Sequence, residues 1–542
     1  MKQIAFTWFL LVLGFQFLYA QQMYDLILRH GTIYDGSGGD PYVADLAVNR
    51  DTIAFIGDLS RARGKQEVDV NGLAVAPGFI NMLSWADGTL LQDGAAMSDI
   101  LQGVTLEVFG EGISAGPRRP SGSQQRWTTL GGYFDYLEKK GVSPNFASFL
   151  GATTIRSYVV GLNNRQPNEK EWREMRALVK QAMEEGALGI GSSLIYAPAT
   201  FATTDELIEL CKVAGNYGGR YITHMRSESD GILQALNETF RIAMEARVPA
   251  EIYHLKITQR RNWPKIDTVL QKIDSARKSG LRITANMYPY EASATGLKER
   301  VPIWAQEGGA VQLKARIRNS ETRRKILHDM ANGIPTRNSD PKDVMLLGFR
   351  KDSLNRLYKG RRLDEIARMH GKDADETVLD LLSVDGTAIG AVYFVISRAN
   401  MYRMLAQPYV SIGSDAGALA LTRNFTASAT HPRAYGTFAR VLGPCVRDEK
   451  LFSLQEAVRK MTSLPAANLG LRHRGSIKQA FVADLAIFDP AKIQDHATYS
   501  QPHQYATGIR YVFVNGIMVV KEGIHTGAKP GRCVRGPGFK EK

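Results

Sequence analysis

Hydrophobic positions along the chain fall into two regimes. Over residues 24–75 they come as short alternating runs separated by polar turn clusters: Asp25-Leu26-Ile27-Leu28-Arg29, Thr32-Ile33-Tyr34, Asp45-Leu46-Ala47-Val48 and Thr52-Ile53-Ala54-Phe55-Ile56. A period of two broken by clusters such as Asn49-Arg50-Asp51 predicts antiparallel strands. The same pattern returns over 482–488 and 510–516. The two chain ends are therefore expected to build one β-sandwich, with the middle inserted into it.

The middle alternates unbroken apolar runs with helical periodicity. Candidate strands lie at 79–83, 105–109, 146–150, 188–192, 221–224, 251–254, 283–287 and 410–414. Between two of them, residues 230–248 carry Ile232, Leu233, Leu236, Phe240, Ile242 and Ala243 at helical spacing. Pro167-Asn168 opens a helix over 169–185 that stops at Gly186, and Thr203-Thr204-Asp205-Glu206 reads as a capping box for a helix reaching Ala214. Eight parallel strands with helical crossovers predict an α/β fold, a TIM-like (β/α)8 barrel. Residues 300–404 hold extra helices and two strand-like runs, 344–347 and 392–396, read as an insertion that contributes to a lid. The resulting plan is an export signal at 1–20, sandwich at 21–77, barrel with insertion at 78–472 and sandwich again at 473–542.

Two of the strands, Tyr221-Ile222-Thr223-His224 and Glu251-Ile252-Tyr253-His254, end on histidine. A right-handed parallel crossover brings both to the same C-terminal edge, where barrel active sites sit. One strand-end histidine is more often a satisfied core residue; two at one mouth offer nitrogen donors on rigid strands, as a divalent metal requires. Glu111, between Gly110 and Gly112 after the second strand, is a hard oxygen ligand for such a site or a turn residue facing solvent. Asp415, after the last strand, is placed to move a proton beside a metal, or else caps the following helix. Lys256 and Arg226 could hold a substrate carboxylate, with a surface salt bridge as the plain alternative for Arg226. Tyr288 and Tyr290 could bond a carbonyl or its oxyanion, or simply pack.

Composition narrows this further. With 44% hydrophobic and 23% charged residues, the 542-residue chain is an ordinary globular protein. Its formal charge of +14 is scattered, without a basic run or aromatic-interleaved patch, so nucleic acid is not an expected partner; a small anionic molecule is. Met1-Lys2-Gln3, the apolar stretch 4–19 and Ala20 read as an export signal, giving a periplasmic or secreted protein, with an uncleaved anchor as the alternative. No other stretch is long and apolar enough to span, so no stable membrane association is expected after cleavage. Cys211, Cys445 and Cys533 form neither a disulfide framework nor a thiolate metal motif. Oligomeric state is not legible.

Several motifs recur together: Tyr24-Asp25-Leu26-Ile27-Leu28-Arg29-His30-Gly31-Thr32, Ala76-Pro77-Gly78-Phe79-Ile80, Gly110-Glu111-Gly112, the two histidine strands, Tyr288-Pro289-Tyr290 and Gly413-Ser414-Asp415. Later come His431-Pro432-Arg433-Ala434-Tyr435-Gly436-Thr437, Met461-Thr462-Ser463-Leu464-Pro465-Ala466-Ala467, His503-Gln504-Tyr505, Val514-Asn515-Gly516 and Pro530-Gly531-Arg532. As a set, covering nearly the whole chain past the signal, they resemble the amidohydrolase superfamily, and within it the N-acyl-D-amino-acid deacylases (D-aminoacylases). The resemblance implies zinc at the barrel mouth on Glu111, His224 and His254, and Asp415 as catalytic acid/base. It implies that Lys256 and Tyr288 hold the substrate carboxylate and polarise the scissile carbonyl. The implied reaction is hydrolysis of an N-acyl-D-amino acid to a carboxylate and a free D-amino acid.

One departure matters. Where the superfamily carries Asp-x-His-x-His after Pro-Gly-Phe-Ile, this chain reads Asn81-Met82-Leu83-Ser84-Trp85. Leu83 and Trp85 have no lone pair for a metal, so one zinc is expected and a second is in question. A hydrolase of cyclic amides or D-dipeptides, and a catalytically inactive periplasmic ligand-binding homologue, stay open as alternatives.

Overall fold

The computed structural model describes residues 22–120, 126–333 and 339–541; the expected export signal at 1–20 lies outside them. Eight parallel strands form the barrel: Phe79–Asn81, Val104–Phe109, Asn145–Ser148 continued by Leu150–Gly151, Gly189–Ser193, Arg220–His224, Ala250–Ile252, Ile283–Met287 and Val410–Ile412. They pair in that order, from Phe79–Asn81 through Val104–Phe109 to Asn145–Ser148 and from Leu150–Gly151 through to Val410–Ile412. Every residue of Val104–Phe109 and Gly189–Ser193 is buried. Strands covered on both faces read as continuous apolar or small-residue runs, which is why all eight are visible in the sequence.

The barrel closes between its first and last strands. Met82 N–H donates to Ile412 O (3.3 Å), Asp415 N–H to Leu83 O (2.8 Å) and Trp85 N–H to Ala416 O (2.9 Å). Helices Glu169–Glu184, Thr204–Gly215 and Ile232–Ala246 cover the outside. The first has Asn168 and Glu171 in a reciprocal capping box; in the second, Thr203 caps Glu206 N–H.

The segment between the seventh and eighth strands adds a strand that the hydrophobic pattern does not predict. Ser293–Gly296 is antiparallel to Gly390–Tyr393, which also pairs with Val344–Gly348. Its ladder partner lies about a hundred residues away, and four small residues give no local sign of the pairing. Leu347 and Gly390 of this three-stranded sheet reach the cavity at the barrel mouth.

Both chain ends enter one nine-stranded sheet. Leu485–Phe488 pairs antiparallel with Ala74–Pro77, the strand that leads into the barrel. The runs at 25–29 and 32–34 belong to one long strand, Met23–Ile33, with an irregularity at His30 (φ 58°) in place of a turn. Leu26, Leu28, Leu46, Val48 and Ile53 from the N-terminal part pack with Leu485, Ile487 and Phe513 from the C-terminal part. No helix among the described residues is long and apolar enough to cross a membrane.

Candidate metal centre and active site

Glu111 leaves the second strand between two glycines that nothing larger replaces. Gly110 (φ 102°) and Gly112 (φ 72°) lie in the left-handed region, and a Cβ on them would stand 2.4 Å from Phe149 O and 2.5 Å from Ser193 Oγ respectively. The glutamate is thereby turned into the mouth. His224 ends its strand. His254 lies two residues past Ile252, where its strand ends, at a φ of 34°. Asp415 also has positive φ, 51°. Such conformations in residues with a Cβ persist where the surroundings over-determine them, and they cluster at functional sites.

These elements bring three ligand atoms to one point. Glu111 Oε1 is 2.8 Å from His224 Nδ1 and 3.2 Å from His254 Nε2, and the two nitrogens are 3.1 Å apart. All three residues are buried. Burial pushes the His224 imidazole down to about 4. Burial and Lys256 also oppose charge on His254, but the Glu228 carboxylate and hydrogen bonds to Glu111 and Glu228 raise it to about 9. Burial of Glu111 is outweighed by its bonds from both histidines, which hold it down at about 2.

Sequence reasoning missed Glu228, on the loop after His224. Its Oε1 lies 3.1 Å from His254 Nδ1, 3.5 Å from His224 Nε2 and accepts from Lys256 Nζ at 2.6 Å. One carboxylate therefore faces the outer nitrogen of both rings, close enough to hydrogen-bond only that of His254; with a metal bound, this arrangement would turn the lone pairs of His224 Nδ1 and His254 Nε2 toward it. Burial disfavours the Glu228 anion, but Lys256 and the histidines hold its pKa well below the ordinary range.

Asp415 stands on the same cavity wall with both oxygens engaged. Trp85 Nε1–H donates to Oδ1 at 3.0 Å, and Arg433 Nη1 makes an ion pair with Oδ2 at 2.8 Å. Burial raises the Asp415 pKa above its ordinary value against the pull of Arg433. Below it, Asn81 Oδ1 accepts Ser414 N–H at 2.8 Å, and Asn81 Nδ2–H donates to Ser414 Oγ (2.8 Å) and Glu107 Oε2 (3.0 Å). The Arg433 guanidinium lies 4.6 Å from the centre of the Tyr288 ring. Tyr288 is fully buried, its hydroxyl has no partner among the described residues, and burial keeps it protonated. Tyr290 instead packs under Arg440 and against His431.

Glu111, His224, His254, Lys256, Asp415 and Arg433 line a cavity of about 1060 Å³, with Trp85, Leu91, Trp127 and Tyr196 as apolar surface; Tyr288 and Glu228 are not among its lining residues. Arg226 is not there. Strand alternation stops at His224, and the guanidinium turns to Glu238 (2.8 Å) and the carbonyls of Thr200 and Ala202, so the plain salt-bridge reading describes it. Lys256 does reach the wall, though with its ammonium on Glu228 and 2.7 Å from His254 Nδ1. Arg433 brings the charge expected of Arg226. Its only sign in the sequence was the run around His431.

The residues fit a divalent metal. Tetrahedral zinc holds nitrogen and oxygen ligands at about 2.0–2.2 Å, which sets neighbouring ligand atoms about 3.3 Å apart; the three here are 2.8, 3.1 and 3.2 Å apart. Glu111 Oε2 is buried without a hydrogen bond among the described residues. With both histidines neutral, three buried carboxylates (Glu111, Glu228, Asp415) face two cations (Lys256, Arg433), a balance that a metal reverses in favour of an anionic ligand.

The amidohydrolase family model matches residues 350–520. D-aminoacylase of Alcaligenes xylosoxydans xylosoxydans is 36% identical over 525 residues, 95% of this chain and 98% of that protein. A solved D-aminoacylase structure, concerned with a binuclear metal centre showing one-metal activation and second-metal attenuation, superposes with a TM-score of 0.78 at 34% identity, covering 94% of this chain and 99% of that one. N-acyl-D-glutamate deacylase from Bordetella bronchiseptica, complexed with zinc and a phosphonate mimic of the tetrahedral intermediate, superposes with a TM-score of 0.79 at 27% identity, over 95% and 100%. The chain belongs to the amidohydrolase family, as a D-aminoacylase-like member.

Proposed function

We propose that this protein is an exported, single-zinc hydrolase that cleaves the amide bond of N-acyl-D-amino acids. The observation that carries the reading is the convergence of Glu111, His224 and His254 on one point, on a cavity wall that also holds Asp415 and Arg433. The similarity to D-aminoacylase and to a deacylase holding zinc and a phosphonate supports the substrate class, and the apolar segment 4–19 supports export.

When bound, zinc on these three residues supplies a Lewis acid for the amide carbonyl and lowers the pKa of water. The chain's own groups do the rest. Asp415, raised by burial, takes a proton from the attacking water and returns it to the amide nitrogen as the C–N bond breaks, giving a carboxylate and a free amine. Tyr288 keeps its proton and donates toward the carbonyl oxygen as charge develops there. Arg433 holds the carboxylate of the amino-acid half, with Lys256 adding positive charge from the loop after His254. Apolar surface from Trp85, Leu91 and Trp127 accepts the acyl and side-chain carbon.

The test is release of free amine by the zinc-loaded protein from N-acetyl-D-amino acids, their L enantiomers, their carboxamides, cyclic amides and D-dipeptides. The reading predicts turnover of the D acids, loss of most kcat/KM when the carboxylate is amidated, and an Asp415→Asn variant slower by about 10²- to 10⁴-fold. Faster turnover of cyclic amides or dipeptides, or indifference to amidation, would contradict it.

A further inference from the structure

Trp85 occupies an unusual place for an indole. It lies just past the first barrel strand, Phe79–Asn81, lines the cavity and donates Nε1–H to Asp415 Oδ1 at 3.0 Å. The other Asp415 oxygen is 2.8 Å from Arg433 Nη1. The backbone secures the pair: Asp415 N–H is bonded to Leu83 O (2.8 Å) and Trp85 N–H to Ala416 O (2.9 Å). Indole and guanidinium are donors without a lone pair for a metal, and Leu83, fully buried, adds only hydrocarbon. A second divalent ion beside Asp415 would meet a guanidinium charge and find one carboxylate whose two oxygens are taken. Among the described residues, the single group able to supply three ligands to a metal is Glu111, His224 and His254. D-aminoacylase, by contrast, has a binuclear centre attenuated by its second metal.

We propose that Trp85 is a positioning residue whose hydrogen bond, together with the Arg433 ion pair, fixes the Asp415 carboxylate, and that this arrangement makes the centre a one-metal site immune to attenuation by excess metal. The proposal rests on the reading of Asp415 as the proton carrier; its metal arm stands without any substrate. Trp85→Phe removes the N–H and keeps the ring. Leu83→His/Trp85→His puts nitrogen donors at the strand end.

Zinc alone is titrated into metal-free wild type and both variants, with bound metal counted after gel filtration. Hydrolysis of an N-acetyl-D-amino acid is then followed at one equivalent and at large excess of zinc. Wild type and Trp85→Phe are expected to bind one zinc with affinities within about twofold of each other. Trp85→Phe is expected to lose about 10- to 100-fold in kcat through misplacement of Asp415, with little change in KM. Excess zinc leaves wild type unaffected, whereas the double-histidine variant binds a second equivalent and is slowed by it. A second tight zinc in wild type, slowing by excess zinc, or full kcat in a folded, zinc-loaded Trp85→Phe would overturn the proposal. One zinc per chain with no hydrolysis of any substrate would instead reject the deacylase reading and the positioning role together, leaving only the single-metal count.

Discussion

Glu228 Oε1 lies within 3.5 Å of the Lys256 ammonium and of a ring nitrogen of both metal-facing histidines. A carboxylate on the outer nitrogens settles which ring nitrogens carry protons and which offer lone pairs. Glu228→Gln keeps the shape but gives up the charge. Zinc affinity, measured by competition with a chelator, is expected to weaken by about 10- to 100-fold; unchanged affinity would assign Glu228 to Lys256 alone. Nothing in the sequence singled this residue out, because it sits in Ser227-Glu228-Ser229-Asp230, a polar post-strand loop without periodicity. His224 and His254 were legible because each closes an apolar run, and Glu111 because glycines flank it. Arg226 misled for a physical reason: the period of two that would carry it to the face of His224 ends with the strand at that histidine.

At the scale of elements, all eight barrel strands were legible as buried runs, while strand ends and loop conformations were not. His254 reaches the site through a positive-φ turn, not strand alternation, and Ser293–Gly296 takes its strand character from a distant partner. The seam between first and last strands also stores a pH dependence. Beneath Asp415, Asn81 ties Ser414 to Glu107, and Asn81 Nδ2 also lies 3.4 Å from Asp99 Oδ1. Burial raises Glu107 from an ordinary 4.5 to about 7, against bonds from Ser84 and Asn81, and burial together with the Glu107 charge raises Asp99 well above its ordinary value. The folded chain keeps a proton there that the unfolded chain releases, so this contribution to stability is full below pH 4.5 and is lost as pH rises through about 7. Glu107→Gln cannot ionise. Its Tm is expected to match wild type near pH 5 and to exceed it by a few degrees near pH 8; an equal offset at both would show that Glu107 does not titrate between them.

For the whole molecule, the interleaving of both chain ends was readable from recurrence of the same two-residue period at 24–75 and beyond 482, although the sequence does not show which strands meet. The structure seats Leu485–Phe488 on Ala74–Pro77, immediately before the first barrel strand. The C-terminal tail then runs along the base of the third strand, with Val534 N–H bonded to Phe146 O at 2.7 Å and Phe146 N–H to Arg532 O at 3.1 Å. The end domain thus anchors the first and third barrel strands from below, while the insertion reaches the mouth from above. A rigid frame of this kind is what a metal centre built from three separate strand ends requires.

The account stands on that centre, and the most direct test is the metal content of the protein purified without chelator, by elemental analysis, beside a His224→Ala/His254→Ala double variant. About one zinc per chain in wild type and none in the variant is the predicted result. No metal in wild type, with none taken up when zinc is added, would contradict the account at its base.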